Sequence, residues 1–176
     1  IAEKGSANIA AINYHFGSKE NLYTETLRFV VTQCARPCAQ AAVQDPEWSK
    51  TPEGRSRMLE ALVKERFTSY LSPEQPRWYG RLFLRSMLDP TPSLEKVVKQ
   101  VMLPEHEAML EVLQRIRPGL TEDEARFWVF SLLGQIAFYV FSEAAIRMVL
   151  EEDVYDAHFL NAAARHVTQM MTTALG

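Results

Sequence analysis

The sequence predicts an all-α protein, and three observations carry that reading. Apolar residues recur at spacings of three and four in nearly every segment, the period of a helix with one buried face. Strict apolar–polar alternation and β-branched enrichment, the marks of strands, are scarce. Cap residues, Pro and Gly fall between the periodic segments rather than inside them. The 176 residues are 47% hydrophobic and 23% charged, with 7 Gly and 9 Pro. That composition suits a globular fold of one domain, or of one domain fused to a small module, and excludes collagen-like, low-complexity and disordered classes.

A first short helical piece ends at Gly5-Ser6, and Asn8 is a suitable N-cap for a helix over 8–15. Phe16-Gly17-Ser18 turns the chain, and Ser18 caps a helix over 19–35 with apolar Leu22, Leu27, Val30 and Val31. Pro37 ends or kinks it. The stretch 44–54, with Asp45-Pro46 and Thr51-Pro52, reads as a linker before an amphipathic helix over 55–71. Ser72-Pro73 and Pro76 bracket a turn before a helix over 77–88 rich in aromatics. After Asp89-Pro90-Thr91-Pro92, Ser93 caps a helix reaching about 117 with a kink near Pro104, and Pro118-Gly119 stops it. Thr121 and Glu124 form a capping box that opens one long helix over 122–150. A final helix spans 155–175. That makes around eight helices with no internal repeat. The longest apolar run, 127–140, is interrupted by Ser131, Gly134 and Gln135 and is too short to cross a membrane.

The last two helices carry heptad-like seams: Phe127, Phe130, Gly134, Ala137, Phe141, Ala144 and Met148 on one, Leu160, Ala164, Val167, Met171 and Ala174 on the other. The seams fit either an internal core or a four-helix bundle shared between two copies of the chain.

Net charge is −3. Residues 1–36 hold four basic and three acidic side chains, leaving +1 there and −4 in the remainder. This permits nucleic-acid binding at the N-terminal end without demanding it. Catalytic constellations are not found. His106-Glu107 opens like a zinc-protease motif, but Leu110 stands where its second histidine belongs. Cys34 and Cys38, four apart, read as buried or idle thiols in a reducing, cytoplasmic setting. His158 and His166 lie eight apart on the last helix and read as interface or capping residues rather than a metal pair. No enzyme activity, cofactor or metal is expected.

The informative stretch is 7–23. Ile9, Ile12 and Phe16 form one apolar stripe, leaving Ala10, Ala11, Asn13, Tyr14 and His15 on the outer face. Small residues with Asn, Tyr and His suit a major groove, where methyls meet thymine methyls and polar groups meet base edges and phosphates. Lys19 stands at a helix N-terminus, placed to hold a phosphate. Any short surface helix can show such residues. The ordered string Ile12-x-Tyr14-His15-Phe16-x-Ser18-Lys19-Glu20-x-Leu22-Tyr23, preceded by Ile1-Ala2-Glu3-Lys4, resembles the end of the helix-turn-helix of the TetR/AcrR family of transcriptional regulators. Within that family, the stretch from Ala7 to Phe16 and Ser131-Leu132-Leu133-Gly134-Gln135 are similar to the YbiH/CecR-type regulators.

The resemblance implies a division at 36: residues 1–36 as the C-terminal part of a DNA-binding helix-turn-helix with its connecting helix, residues 37–176 as a helical regulatory and dimerisation domain. It implies a homodimeric, ligand-responsive repressor released from a palindromic operator by a small molecule. The competing reading is a helical ligand-binding or interaction protein with a degenerate head. The resemblance makes Asn8, Ala10, Ala11, Asn13, Tyr14, His15 and Lys19 the residues that meet double-stranded DNA. Ser6 stands where the family carries a turn glycine, and Asn13 where a phosphate-binding tyrosine is common. The first helix and most of the second are expected to lie upstream of Ile1, and a chain starting there is not expected to bind DNA specifically. A ligand pocket is expected within the helical domain, with walls drawn from Met58, Leu62, Trp78, Phe83, Met87, Met109, Phe138 and Tyr139. Arg66, Arg81, Arg85, His106 and Glu143 are its candidate polar contacts. The two-copy interface is expected at Phe127, Phe130, Gly134, Ala137, Phe141, Leu160, Ala164, Val167 and Met171.

Overall fold

The computed structural model describes residues 14–34, 47–72, 74–151 and 155–175. The described residues are helical, with no strand among them. Residues 14–16 are helical and run into Gly17, whose φ of 72° makes the turn that a side chain would oppose. Ser18 then caps α1 (Lys19–Cys34) as expected, its Oγ accepting from the Asn21 N–H at 3.1 Å.

A single 3₁₀ turn (Trp48–Lys50) precedes α2 (Pro52–Leu71), whose cap is Thr51, its hydroxyl accepting from the Gly54 N–H at 3.0 Å. The expected start at 55 is therefore three residues late. Thr51-Pro52 is not linker but an N-cap followed by proline at the first helical position, where its missing N–H is harmless. The same correction applies after α3 (Trp78–Leu88). Thr91 is the cap position and Pro92 the first residue of α4 (Pro92–Val97), while Ser93, expected as the cap, is buried inside.

A π-helical turn over Val98–Met102 joins α4 to α5 (Leu103–Ile116). Pro104 has no N–H to give the Gln100 carbonyl. The wider turn, in which the Leu103 N–H reaches Val98, accommodates that gap. The capping box forms as read: Thr121 Oγ1 accepts from the Glu124 N–H at 3.3 Å, and Glu124 Oε2 accepts from the Thr121 N–H at 2.9 Å. The helix it opens is not continuous to 150. It bends by 67° at Ser142 into α6 (Glu122–Phe141) and α7 (Glu143–Leu150). No Pro or Gly marks that place, so periodicity ran through it. The last helix is α8 (Ala157–Leu175).

Around α2 the main core gathers: Met58, Leu59, Leu62, Val63 and Phe67 pack with Met109 and Leu113 of α5, Val129, Leu132 and Ile136 of α6, and Leu160, Ala164, Val167 and Met171 of α8. A second, smaller cluster joins Leu27 and Val31 of α1 to Leu94 and Val97 of α4.

Among the described residues, one charged group lies inside. Arg66 is 1% exposed, its Nη1 3.6 Å from Glu105 Oε2. Burial pushes the Glu105 carboxyl up from the usual carboxylate range, and Arg66 only partly opposes this. A group raised by folding contributes its full stability below the unfolded carboxylate value and loses it as the pH rises through the folded one. Glu105→Gln should therefore gain on the natural protein in urea midpoint as the pH rises above about 4. A difference independent of pH would show that the burial of Glu105 has no energetic consequence.

Candidate functional site

Two places in the fold hold candidate functional residues, and α3 touches both. At the first, Tyr14 is 85% exposed and meets the His15 ring edge-on at 5.1 Å, with His15 also exposed. Lys19 is exposed one turn beyond, at the start of α1. These three are joined by the Gly17–Ser18 turn, which the Asn21 side chain braces by donating from Nδ2 to the Phe16 carbonyl at 3.0 Å. Asn8, Ala10, Ala11 and Asn13, the other expected DNA contacts, lie outside the described residues, as does the expected boundary at 36.

Helix α1 is fixed to the body by polar contacts on one side. The Tyr23 hydroxyl meets Ser86 Oγ of α3 at 2.8 Å, and Thr24 Oγ1 donates to the buried Ser93 Oγ of α4 at 2.7 Å. Arg28 reaches Gln100 Oε1 at 2.6 Å.

At the second place the N-terminal half of α3 lines a cavity of about 560 Å³. Its other walls are the C-terminal end of α2, the α6–α7 bend and the start of α8: Tyr70, Leu71, Tyr79, Leu84, Val140, Phe141, Ala144, Tyr155 and Ala157 supply apolar surface. Arg77, Arg81, Glu143, Arg147 and Asp156 supply charge. The bend at Ser142 makes this site, because it presents Glu143 to Arg77 at 3.3 Å and to Arg147 at 3.0 Å. Gly80 lets α3 approach α6 closely; a Cβ there would lie 2.8 Å from Val140 Cγ1. Tyr155 donates its hydroxyl to the Tyr139 carbonyl at 2.7 Å and lies under the Arg147 guanidinium at 5.3 Å. Burial first, then Glu143, pushes the Tyr155 phenol up to about 12, so it stays neutral. A volume in this range fits a drug-sized molecule.

None of the eight expected wall residues lines this cavity. Met58, Leu62 and Met109 are buried in the main core, Phe83 packs against the smaller cluster, and Trp78, Met87 and Phe138 are exposed. Tyr139 packs against the main core and touches the site only through its carbonyl. Of the polar candidates, Arg81 and Glu143 are at the cavity, Arg66 is in the core, and His106 stacks on Phe130 at 5.2 Å. Arg85 is exposed and lines no part of it. Sequence reasoning chose large residues at helix centres. The walls of this cavity come from helix ends, whose convergence no periodicity reveals.

The expected interface residues divide into two groups. Phe127, Phe130, Gly134 and Phe141 lie exposed along α6, with Ala137 half-buried, while Ala125, Val129, Leu132 and Ile136 serve the core from the opposite face. Leu160, Ala164, Val167 and Met171 do not face outward. Their seam is filled by α2 of the same chain, so the heptad spacing on α8 records internal packing. His158 and His166 are exposed, and no group of three His, Cys, Asp or Glu among the described residues could hold a metal. No single described helix is long and apolar enough to cross a membrane.

Residues 56–176 match the family described as the C-terminal domain of the HTH-type transcriptional dual regulator CecR. The chain is also 26% identical over 118 residues to the HTH-type transcriptional dual regulator CecR of Shigella flexneri. That alignment covers 64% of this chain and 52% of the relative, so the chain spans about half the length of the curated relative it matches.

Proposed function

The chain belongs to the family of the C-terminal domain of the HTH-type transcriptional dual regulator CecR, and from this we propose that it serves a TetR-type, sequence-specific DNA-binding regulator controlled by a small molecule. Helix α3 carries the reading: one end lines the cavity through Arg77, Tyr79, Gly80, Arg81 and Leu84, and the other holds α1 through Ser86 and Tyr23. A molecule that repositions α3 therefore acts on the helix that begins at Lys19, beside Tyr14 and His15. Its effect on DNA affinity equals its differential affinity for the two positions.

The exposed aromatic face of α6 is the surface we assign to a second copy. Phe127 is 68% exposed, Phe130 53% and Phe141 48%, on a helix whose other face is fully engaged. Gly134 among them lets two helices approach closely. Two copies would hold two heads for successive major grooves of a palindromic operator, roughly 34–36 Å apart, in the manner of a cytoplasmic repressor.

The test is fluorescence anisotropy of the intact protein on DNA from upstream of its own gene, with scrambled competitor at two salt concentrations. Salt-dependent binding that survives competitor is expected. Tyr14→Ala should weaken the specific site by about 1–3 kcal/mol, leaving scrambled DNA unaffected. Lys19→Gln should weaken both and reduce the logarithmic salt slope by about 1. Equal affinity for upstream and scrambled DNA would leave the competing reading, a ligand-binding protein with a degenerate head.

A further inference from the structure

We infer that the molecule admitted by the α2–α3–α6–α8 cavity is an amphipathic aromatic anion, gripped at its charged end by Arg81 with Arg77. This rests on the reading of that cavity as the effector site. Among the described residues that line it stand three guanidinium groups and two carboxylates. Of its two carboxylates, Asp156 is engaged as the cap of α8, accepting from the Phe159 N–H at 2.7 Å. Glu143 is shared between Arg77 and Arg147. Arg81, one turn on from Arg77 on α3, has no acidic partner among the described residues. Arg81 is therefore the guanidinium at the cavity that an incoming anion would meet.

The neutral polar groups nearby offer a ligand little. The Tyr155 hydroxyl already donates its hydrogen bond to the Tyr139 carbonyl, and Gln75 donates from Nε2 to the Ser69 carbonyl at 2.8 Å. The charged donors at the cavity are guanidinium forks, which match planar acceptor oxygens two at a time. The remaining wall is aromatic and aliphatic, with Tyr79 and Tyr155 among its rings. A flat apolar body bearing one carboxylate or sulfonate satisfies both halves. Such a ligand also competes with Glu143 for Arg77, and so loosens the tie between α3 and α7. That supplies a reason for binding to move α3.

Two probes of nearly the same ring skeleton separate charge from shape. One is 8-anilino-1-naphthalenesulfonate, an anion; the other is N-phenyl-1-naphthylamine, which is neutral. Fluorescence titration of the intact protein should show the anion bound about tenfold more tightly, the scale of one charge-assisted hydrogen-bond pair. Arg81→Gln, at an exposed position, should erase that preference and leave the neutral probe unchanged. Ala157→Trp, which fills the cavity from the first residue of α8, should abolish both, with the thermal melt checked against the natural chain. Equal binding of the two probes, or an anion affinity untouched by Arg81→Gln, overturns the inference while the cavity stands as a binding site. Binding of both probes unaffected by Ala157→Trp overturns the cavity reading as well.

Discussion

Phe67→Ala is expected to lower the stability of the protein by about 3–5 kcal/mol, the largest effect we anticipate from a single substitution. Phe67 is 1% exposed and sits on α2, the helix against which α5, α6 and α8 all pack. Its ring meets Tyr139 edge-on at 5.5 Å, and Tyr139 in turn meets Phe159 at 6.0 Å. Deleting the ring forfeits its transfer from water and leaves a void bounded by four helices, which cannot collapse without moving one of them. For a chain of this length the melting temperature should fall by roughly 10 °C. Urea unfolding should show the midpoint shifted with an unchanged slope, the sign that the denatured state is unaltered. A loss below about 1 kcal/mol, the scale of an ordinary substitution, would mean that α2 is not the centre of the core.

At Gly54, two principles predict opposite signs, and distance decides between them. Alanine is favoured over glycine inside a helix by about 0.8–1.0 kcal/mol, so helix propensity alone makes Gly54→Ala a stabilising change. Yet a Cβ at this position would lie 2.2 Å from the Trp48 carbonyl oxygen and 2.6 Å from its Cα. These are backbone atoms of the 3₁₀ turn and cannot swing aside as a side-chain tip can. The Thr51 hydroxyl bonded to the Gly54 N–H holds the same corner shut. Relief requires moving the turn away from α2, so a net loss of about 1–3 kcal/mol is expected. Gly134→Ala supplies the control. Nothing lies within 4 Å of a Cβ there, and the stability of the single chain should rise by up to about 1 kcal/mol. If Gly54→Ala also stabilises, the 3₁₀ turn is not seated against α2.

Legibility of the fold followed the range of each signal. Local hydrogen-bond chemistry was plain: Ser18 and the Thr121–Glu124 box announce helix starts because partners three residues apart suffice. Thr51-Pro52 and Thr91-Pro92 were misread in the same way, because proline was taken as a break although both prolines open helices. The bend at Ser142 lacks any local breaker; its surroundings are ion pairs between Glu143, Arg77 and Arg147, and Arg77 is distant in sequence. Periodicity found the outward seam of α6 and the seam of α8, and missed the core face of α6 at Ala125, Val129, Leu132 and Ile136. It could not say which seam α2 would fill. The cavity was least legible, since Leu71, Leu84, Val140 and Tyr155 each belong to a different segment and converge only on folding. The exposed Tyr14, His15 and Lys19 were accessible to sequence because a contiguous string carries them.

The separateness of the two apolar clusters makes the molecule stiff in one region and compliant in another. Helix α1 meets the body chiefly across Leu27, Val31, Leu94 and Val97, aided by the Tyr23–Ser86 and Thr24–Ser93 hydroxyl pairs. A hydroxyl both donates and accepts, so such pairs can be remade after a small slide at little energetic penalty. Four aliphatic side chains resist shear far less than the core gathered around α2. The work needed to displace α1 is therefore set by this small seam, and it stays small even if the body is made much more stable.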